Sequence, residues 1–160
     1  MIRRAAVETV DDLEEASELI REGHAFWDAL RGTRPWPART DLDPLDVPRH
    51  LLPHMLMIDV ERGPPRRFRW RLIGTHITSV MQRDSTGRYF DELYSASEFE
   101  RVTIGPLTVF ETGRACHNIT RAPSSERAFI QMEAIDMPFS RTGEEMDMIL
   151  AFAVATEGRF

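Results

Sequence analysis

The chain has 160 residues, of which 42% are hydrophobic, and its 20 basic against 26 acidic residues give a formal net charge of −6. This length suits one domain, and the hydrophobic fraction supports a normal core and argues against wholesale disorder. The acidic balance argues against non-specific binding to nucleic acid. No apolar run approaches the ~20 residues that span a bilayer, so we expect no membrane segment.

The expected location of the protein follows from two local features. Cys116 is the only cysteine, so no intramolecular disulfide can form and a reducing compartment is expected. Two arginines near the start have no apolar stretch behind them, so they do not mark a secretory signal. We therefore expect a cytoplasmic protein.

An amphipathic helix is predicted for the N-terminal residues 1–32. Thr9 followed by Asp12 has the spacing of a helix N-cap with an acidic third residue, and Gly32 is a natural end. The apolar stripe of this helix is broad enough to pack on the domain with one edge and on a second subunit with the other. We therefore predict a homodimer. Its expected contacts are apolar residues seven apart: Leu13, Ile20 and Trp27.

Residues 33–160 are predicted to form the main domain, which opens with a proline-rich strap over residues 33–53. Five of the ten prolines lie in this strap and exclude long regular elements, because each proline removes a donor and fixes φ. Asp43-Pro44 has the pattern of a short helical turn. The strap should be ordered, since a solvated linker would lack apolar anchors. Its expected anchors include Leu42, Leu45 and Leu51.

After the strap, the apolar pattern changes to the period of two that is typical of strands. The five predicted strands are Met55–Glu61, Phe68–Gly74, Ala115–Ala122, Ala128–Phe139 and Met146–Thr156. Helices are predicted around His76–Gln82 and over about Ser97–Thr112. In the second helix, Gly105-Pro106 should introduce a kink or a new start, and Gly113 should end it.

The last predicted strand has two apolar faces, so it should be central and covered on both sides. One face carries large side chains, including Met148, Leu150 and Phe152, and the other carries small ones, including Ala151 and Ala153. Small side chains suit the close approach of a helix. We therefore expect the N-terminal helix to cover the small face.

The order of two strands, a helical middle and three antiparallel strands is that of a PAS domain. Four segments together closely resemble a family of bacterial stand-alone PAS-like proteins: Trp36–Pro44, Leu51–His54, Phe68–Thr75 and Asp84–Arg88. The resemblance implies an α+β fold, a PAS-like five-stranded antiparallel sheet with helices on one face and an N-terminal capping helix that often helps dimerisation. It implies no particular ligand.

Two cofactors of PAS domains lack their usual residues in this sequence. Flavin-binding photosensor members carry a reactive cysteine in a Gly-x-Asn-Cys-Arg-Phe-Leu-Gln motif on a central helix, whereas Cys116 opens a predicted strand and the motif is absent. Haem-binding members place a histidine on the long central helix, and residues 96–112 contain none. We therefore predict neither cofactor and expect any ligand to be another small molecule.

A pocket between the sheet and the helices is the expected ligand site. Methionine and aromatic side chains suit an adaptable apolar pocket, although at these spacings each of them also suits plain core. The residues predicted to line the pocket are Trp70, His76, Met81, Tyr94, Val109, Met132, Met148 and Phe152.

Two other candidate sites have simpler structural explanations. His50 and His54 have a metal-ligand spacing, but Pro53 lies between them and no further ligand follows at a suitable spacing, so no metal is predicted. Cys116 and His117 are adjacent in a predicted strand and point to opposite faces, so they should not form a catalytic pair.

The densest basic stretch, residues 62–71, could contact phosphates. Its arginines alternate with Phe68 and Trp70, which favours a solvated sheet face above one buried face. The acidic net charge agrees with that interpretation, and we predict no nucleic-acid partner.

The sequence favours a sensory or adaptor domain that binds a small ligand or a signalling protein and acts through dimer or partner contacts. A second interpretation is an interaction module with a filled core. A third is a small conical α+β enzyme, such as an isomerase or dehydratase, which needs an acid or base inside an apolar cavity. Its candidate residues are Asp59, Asp136, Tyr89 and Tyr94, and no spacing pairs them. We predict no catalytic residue.

Overall fold

The computed structural model describes residues 6–9 and 13–156. Its strands are β1 (Ala6–Thr9), β2 (Met55–Glu61), β3 (Arg67–Ile73), β4 (Cys116–Arg121), β5 (Gln131–Phe139) and β6 (Met148–Thr156). Its α-helices are α1 (Glu18–Arg31), α2 (Thr75–Met81), α3 (Phe90–Leu93) and α4 (Ala96–Thr112). Short 3₁₀ helices occupy Arg39–Asp41, Pro44–Asp46, Leu52–His54 and Ser125–Arg127.

The strands form one antiparallel sheet in the order β1-β4-β5-β6-β2-β3. The five predicted strands are confirmed, and β1 adds a further strand in which Thr9 pairs with Cys116 of β4. The prediction that Thr9 caps a helix was therefore wrong, because its backbone extends the sheet. Asp12 lies outside the described residues, and α1 begins later, at Glu18 after Ser17.

Strand β6 lies inside the sheet between β5 and β2, and both of its faces are buried. Helix α1 packs on the face that carries the large side chains Met148, Leu150 and Phe152. This corrects the expectation that α1 covers the small face. Close approach is provided by Gly23 of the helix, since a Cβ atom there would lie 2.6 Å from Cδ2 of Phe152.

The small face of β6 is directed toward helices α2 to α4 on the opposite side of the sheet, so helices cover both faces of the sheet. Helix α4 is the longest of these. Ser95 and Glu98 form a reciprocal capping box at its start, and Gly113 ends it with a φ of 67°. The predicted end of the helix at Gly113 is confirmed. The helix continues through Pro106, so a new start at Gly105-Pro106 does not occur.

The proline-rich strap is ordered against the core, as predicted. Leu42 and Leu51 are buried in the same cluster as α1 and the large face of β6. The carboxylate of Asp43 accepts a hydrogen bond from the backbone N–H of Leu45 and caps the turn that Pro44 begins. The side chain of Leu45 is 92% exposed, so its assignment as an anchor was wrong. The Leu45 side chain extends away from the core on the outer side of this turn.

The residues assigned to a dimer contact pack within a single chain. Ile20 and Trp27 are 0% and 4% exposed, and the indole Nε1 of Trp27 donates a hydrogen bond to the carbonyl oxygen of Pro138 at 2.8 Å. Leu13 packs partly buried against the same cluster. Ile20 and Trp27 therefore have almost no surface left for a second subunit, and self-association stays a prediction.

The contact between Gly23 and Phe152 gives a test of how α1 is held on the sheet. At an exposed helix position, glycine to alanine stabilises a protein by about 1 kcal/mol. Gly23→Ala should instead lower the free energy of unfolding by about 1–2 kcal/mol in urea denaturation, because the new methyl group overpacks the core. The loss should shrink in a Phe152→Leu background. A gain in stability for Gly23→Ala would contradict the observed packing.

Candidate functional site

A cavity of about 100 Å³ lies between the small face of the sheet and helices α2 to α4. Most of its lining is apolar, and these side chains include Leu56, Ile58, Trp70, Ile73, Ile77, Met81, Val102, Met132, Ala134 and Ala153. Its polar lining comprises Arg83, Ser85, Tyr94, Arg101, Asn118, Thr120, Arg121 and Asp136. The cavity exists because alanines occupy the sheet face that α2 to α4 cover.

The structure divides the predicted pocket residues into two groups. Trp70, Met81, Tyr94 and Met132 line the cavity. Met148 and Phe152 belong instead to the cluster under α1 on the opposite face of the sheet. Because residues of a strand alternate in direction, Ala153 of β6 faces the cavity and the large side chains on the other face of the strand cannot.

Val109 and His76 also do not line the cavity. Val109 is fully buried in the helical layer against the sheet. The Nε2 atom of His76 accepts a hydrogen bond from the backbone N–H of Ala155 at 3.2 Å, and its ring packs at a tilt against that of His54, with 4.3 Å between centroids. Burial, reinforced by the neighbouring His54, lowers the pKa of His76. His76 therefore connects α2 to β6 in its neutral form.

A carboxyl group lies at the sheet side of the cavity. Asp136 is 6% exposed, and its Oδ2 atom accepts a hydrogen bond from Nδ2 of Asn118 at 2.7 Å. Burial raises the pKa of Asp136 to about 6, and the Asn118 hydrogen bond opposes this shift without cancelling it. The group is thus a buried, ionisable acceptor at the edge of the cavity.

Helix α4 packs directly on this carboxyl group. A Cβ atom at Gly105 would lie 2.1 Å from Oδ2 of Asp136 and 2.6 Å from Nδ2 of Asn118. Only a glycine at this position lets the helix backbone pack so closely on the pair. Sequence reasoning named Asp136 but missed Asn118 and Gly105, because neighbours from three separate elements share no local pattern.

Trp70 and Tyr94 of the cavity lining belong to an aromatic cluster. The indole Nε1 of Trp70 donates a hydrogen bond to the hydroxyl oxygen of Tyr94 at 2.9 Å. The ring of Phe90 packs 4.7 Å from that of Trp70 and meets Tyr94 edge to face at 5.6 Å. Burial raises the pKa of Tyr94, so its hydroxyl group stays protonated at neutral pH.

The other candidate acid–base residues lie outside the cavity. Asp59 of β2 accepts a hydrogen bond from Arg69 at 2.9 Å and lies 3.7 Å from Arg71. The hydroxyl group of Tyr89 donates a hydrogen bond to the carboxylate of Glu61. Asp59 and Tyr89 therefore act in ion pairs and hydrogen bonds around β2 and β3.

The remaining sequence candidates are also separated. His50 contacts Glu22, whereas His54 donates from Nδ1 to the carbonyl oxygen of Ala153. Within residues 13–156, no three His, Cys, Asp or Glu side chains cluster as a metal site would require. Burial raises the pKa of Cys116 to about 12, so the thiol is protonated. His117 instead pairs with Glu133 at 2.8 Å.

None of the helices described in the structure is both long enough and apolar enough to cross a bilayer.

Comparison with known proteins gives one family and one structural relative. The family model described as a PAS domain matches residues 16–153. An RNA-binding light-oxygen-voltage receptor has a similar fold, with a TM-score of 0.51 and 12% sequence identity over 94% of this chain. The present chain covers 38% of that receptor chain. A search of curated proteins finds no match.

The buried carboxyl group predicts a specific pH dependence of stability. The folded state holds the Asp136 proton up to a pKa of about 6, above the ordinary value of 3.8. Stability should therefore fall as pH rises between these values, by about 3 kcal/mol in all. Asp136→Asn removes this dependence. Relative to wild type, the variant should gain about 2 kcal/mol more at about pH 7.5 than at about pH 4.5 in urea denaturation. If the variant and wild type differed in free energy of unfolding by the same amount at both pH values, Asp136 would not be a buried carboxyl group with a raised pKa.

Proposed function

The chain belongs to the PAS domain family, and we propose that it is a sensory domain whose signal is a small molecule bound in the cavity between the sheet and helices α2 to α4. The observation that supports this proposal is the apolar cavity with Asp136 and Asn118 at its sheet side. In an interaction module with a filled core, a carboxyl group beside empty apolar volume would only destabilise the fold.

The energetic cost of the carboxyl group supports a ligand. Among the described residues, Asp136 accepts one hydrogen bond, from Asn118, although a carboxylate can accept several. Burying a charged group with unused acceptor capacity destabilises a fold. A bound molecule that donates a hydrogen bond to Asp136 offsets that cost. Ligand binding and folding stability are then linked through the same atom.

Strand β6 provides a route from the cavity to α1. Ala153 lines the cavity, and its neighbour Phe152 packs under Gly23 of α1 on the opposite face. A ligand that shifts β6 changes the surface on which α1 lies, and it can select between two arrangements of the helix. The output is proposed to be a changed dimer or partner contact. Leu19, Phe26 and Leu30 form the partly buried edge of α1 and are better placed for that contact than Ile20 and Trp27.

The charge distribution supports a small molecule and a protein partner over nucleic acid. RNA binding is a property of the structurally similar receptor. In the present chain, Arg67 forms hydrogen bonds with Asp91 and Glu92, and Arg69 pairs with Asp59. These carboxylates neutralise the arginines that would otherwise attract phosphates.

A second candidate function is proton transfer on the bound molecule, as in an isomerase or dehydratase. It is favoured by Asp136, whose pKa of about 6 suits a general base near neutral pH. Tyr94 lines the same cavity with a protonated hydroxyl group. An enzyme would convert the molecule that copurifies with it, whereas a sensor would release that molecule unchanged.

Filling the cavity tests the proposed function. Native mass spectrometry of gently purified wild-type protein should show a mass above that of the polypeptide. Ala134→Leu places a larger side chain in the lining and should remove the extra mass while the protein stays folded.

Met132→Leu is the matched control, because it exchanges side chains of similar volume in the same lining. This control should retain the added mass, and the released molecule should be chemically unchanged after incubation. Bare polypeptide mass for wild type and Ala134→Leu alike would contradict the sensor proposal. Conversion of the molecule would favour the enzyme.

A further inference from the structure

The charges of the cavity are separated by depth. Asp136 is almost fully buried at the sheet side, whereas Arg83 and Arg121 are exposed to solvent and Arg101 is half-buried, and all three arginines line the same cavity. One end of the cavity is therefore a deep hydrogen-bond acceptor and the outer end is cationic. This arrangement favours a ligand that has two different polar ends.

Arg101 of α4 has an unmet hydrogen bond. Its Nη2 atom donates to the carbonyl oxygen of Pro123 at 3.4 Å, but its Nε atom is buried and has no acceptor among the described residues. A buried donor without a partner costs free energy that a ligand oxygen would recover. Guanidinium groups match the planar geometry of a carboxylate and can bind it in a bidentate manner.

The space between the two polar ends suits a ring. Ile58, Trp70, Met132 and Ala153 supply apolar walls from the sheet, and Met81 closes the helical side. A volume of about 100 Å³ is below that of the engineered apolar cavities of about 150 Å³ that bind benzene, so the cavity encloses at most one ring and a carboxylate on that ring must extend toward the exposed arginines. A phosphate-bearing nucleotide or a long acyl chain exceeds this volume.

On the premise of the proposed function, we propose that the ligand is a small aromatic carboxylate with a hydroxyl or amino group opposite its carboxylate. The carboxylate binds Arg101 at the outer end, and Arg83 adds positive charge there. The ring fills the apolar space. The hydroxyl or amino group donates a hydrogen bond to Asp136. This arrangement satisfies the Nε donor of Arg101 and an acceptor of Asp136 at the same time.

Calorimetric titration with three probes tests the ligand class. At neutral pH, para-hydroxybenzoate should bind more tightly than benzoate, which lacks the hydroxyl donor, and than para-hydroxybenzyl alcohol, which lacks the carboxylate. Loss of either the hydroxyl group or the carboxylate should weaken binding by about tenfold, the usual effect of losing one charge-assisted hydrogen bond. Equal binding of all three probes would overturn the proposed class.

Substitutions assign each end of the probe to a residue. Arg101→Met should weaken binding of para-hydroxybenzoate by about tenfold and leave the alcohol nearly unchanged. Asp136→Asn should reduce the preference for para-hydroxybenzoate over benzoate. Arg66→Met is the matched control, since Arg66 lies over Phe110 outside the cavity, and it should leave all three affinities unchanged. Insensitivity of carboxylate binding to Arg101→Met would also overturn the class.

Failure of the ligand class can be distinguished from failure of the proposed function. If the copurifying molecule is lost in Ala134→Leu but is neither aromatic nor a carboxylate, the ligand class is wrong and the sensory function stands. If wild type carries no added mass and none of the three probes binds, both proposals are overturned. Added mass on wild type, together with binding of para-hydroxybenzoate that Ala134→Leu abolishes, supports both.

Discussion

The structure depends on one constraint: β6 must be covered on both faces, although one face carries large side chains and the other carries small ones. The large face is filled by α1, and Gly23 allows the helix backbone to approach Phe152 closely. The small face has alanines and cannot fill the volume beneath α2 to α4. The cavity is the result, so the same strand that holds the N-terminal helix also borders the candidate ligand site.

The cavity has a polar side because α4 and the sheet meet over a buried carboxyl group. Gly105 allows the helix to pack on Asp136 and Asn118 without a side chain between them. An uncompensated buried carboxylate is costly, and a fold selected only for stability would replace it with an apolar residue of similar volume. Its presence beside apolar volume is the physical reason for proposing a binding role for this side of the sheet.

Much of the architecture could be predicted from local sequence patterns. Alternating side chains predicted β2 at its observed residues, Met55–Glu61, and Gly113 marked the end of α4. Local patterns could not show which face of β6 receives α1, because the decisive contact joins Gly23 to a residue more than a hundred positions away. The extended backbone that ends at Thr9 was missed because its pairing with β4 overrides a capping pattern.

The cavity was only partly predictable for the same reason. Methionine and aromatic residues indicated an apolar pocket, but the pairing of Asp136 with Asn118 depends on the register of β4 against β5. Burial of both residues depends further on the missing side chain of Gly105. These are tertiary contacts, and neither the composition nor the local spacing of the sequence predicts them.

The most direct test of the account is the titration of the Asp136 carboxyl carbon by nuclear magnetic resonance. A carboxyl group buried in the cavity should titrate with a pKa of about 6, and addition of para-hydroxybenzoate should shift its resonance. A pKa close to the ordinary value of 3.8, with no response to the probe, would show a solvated carboxyl group and contradict the cavity and its proposed role.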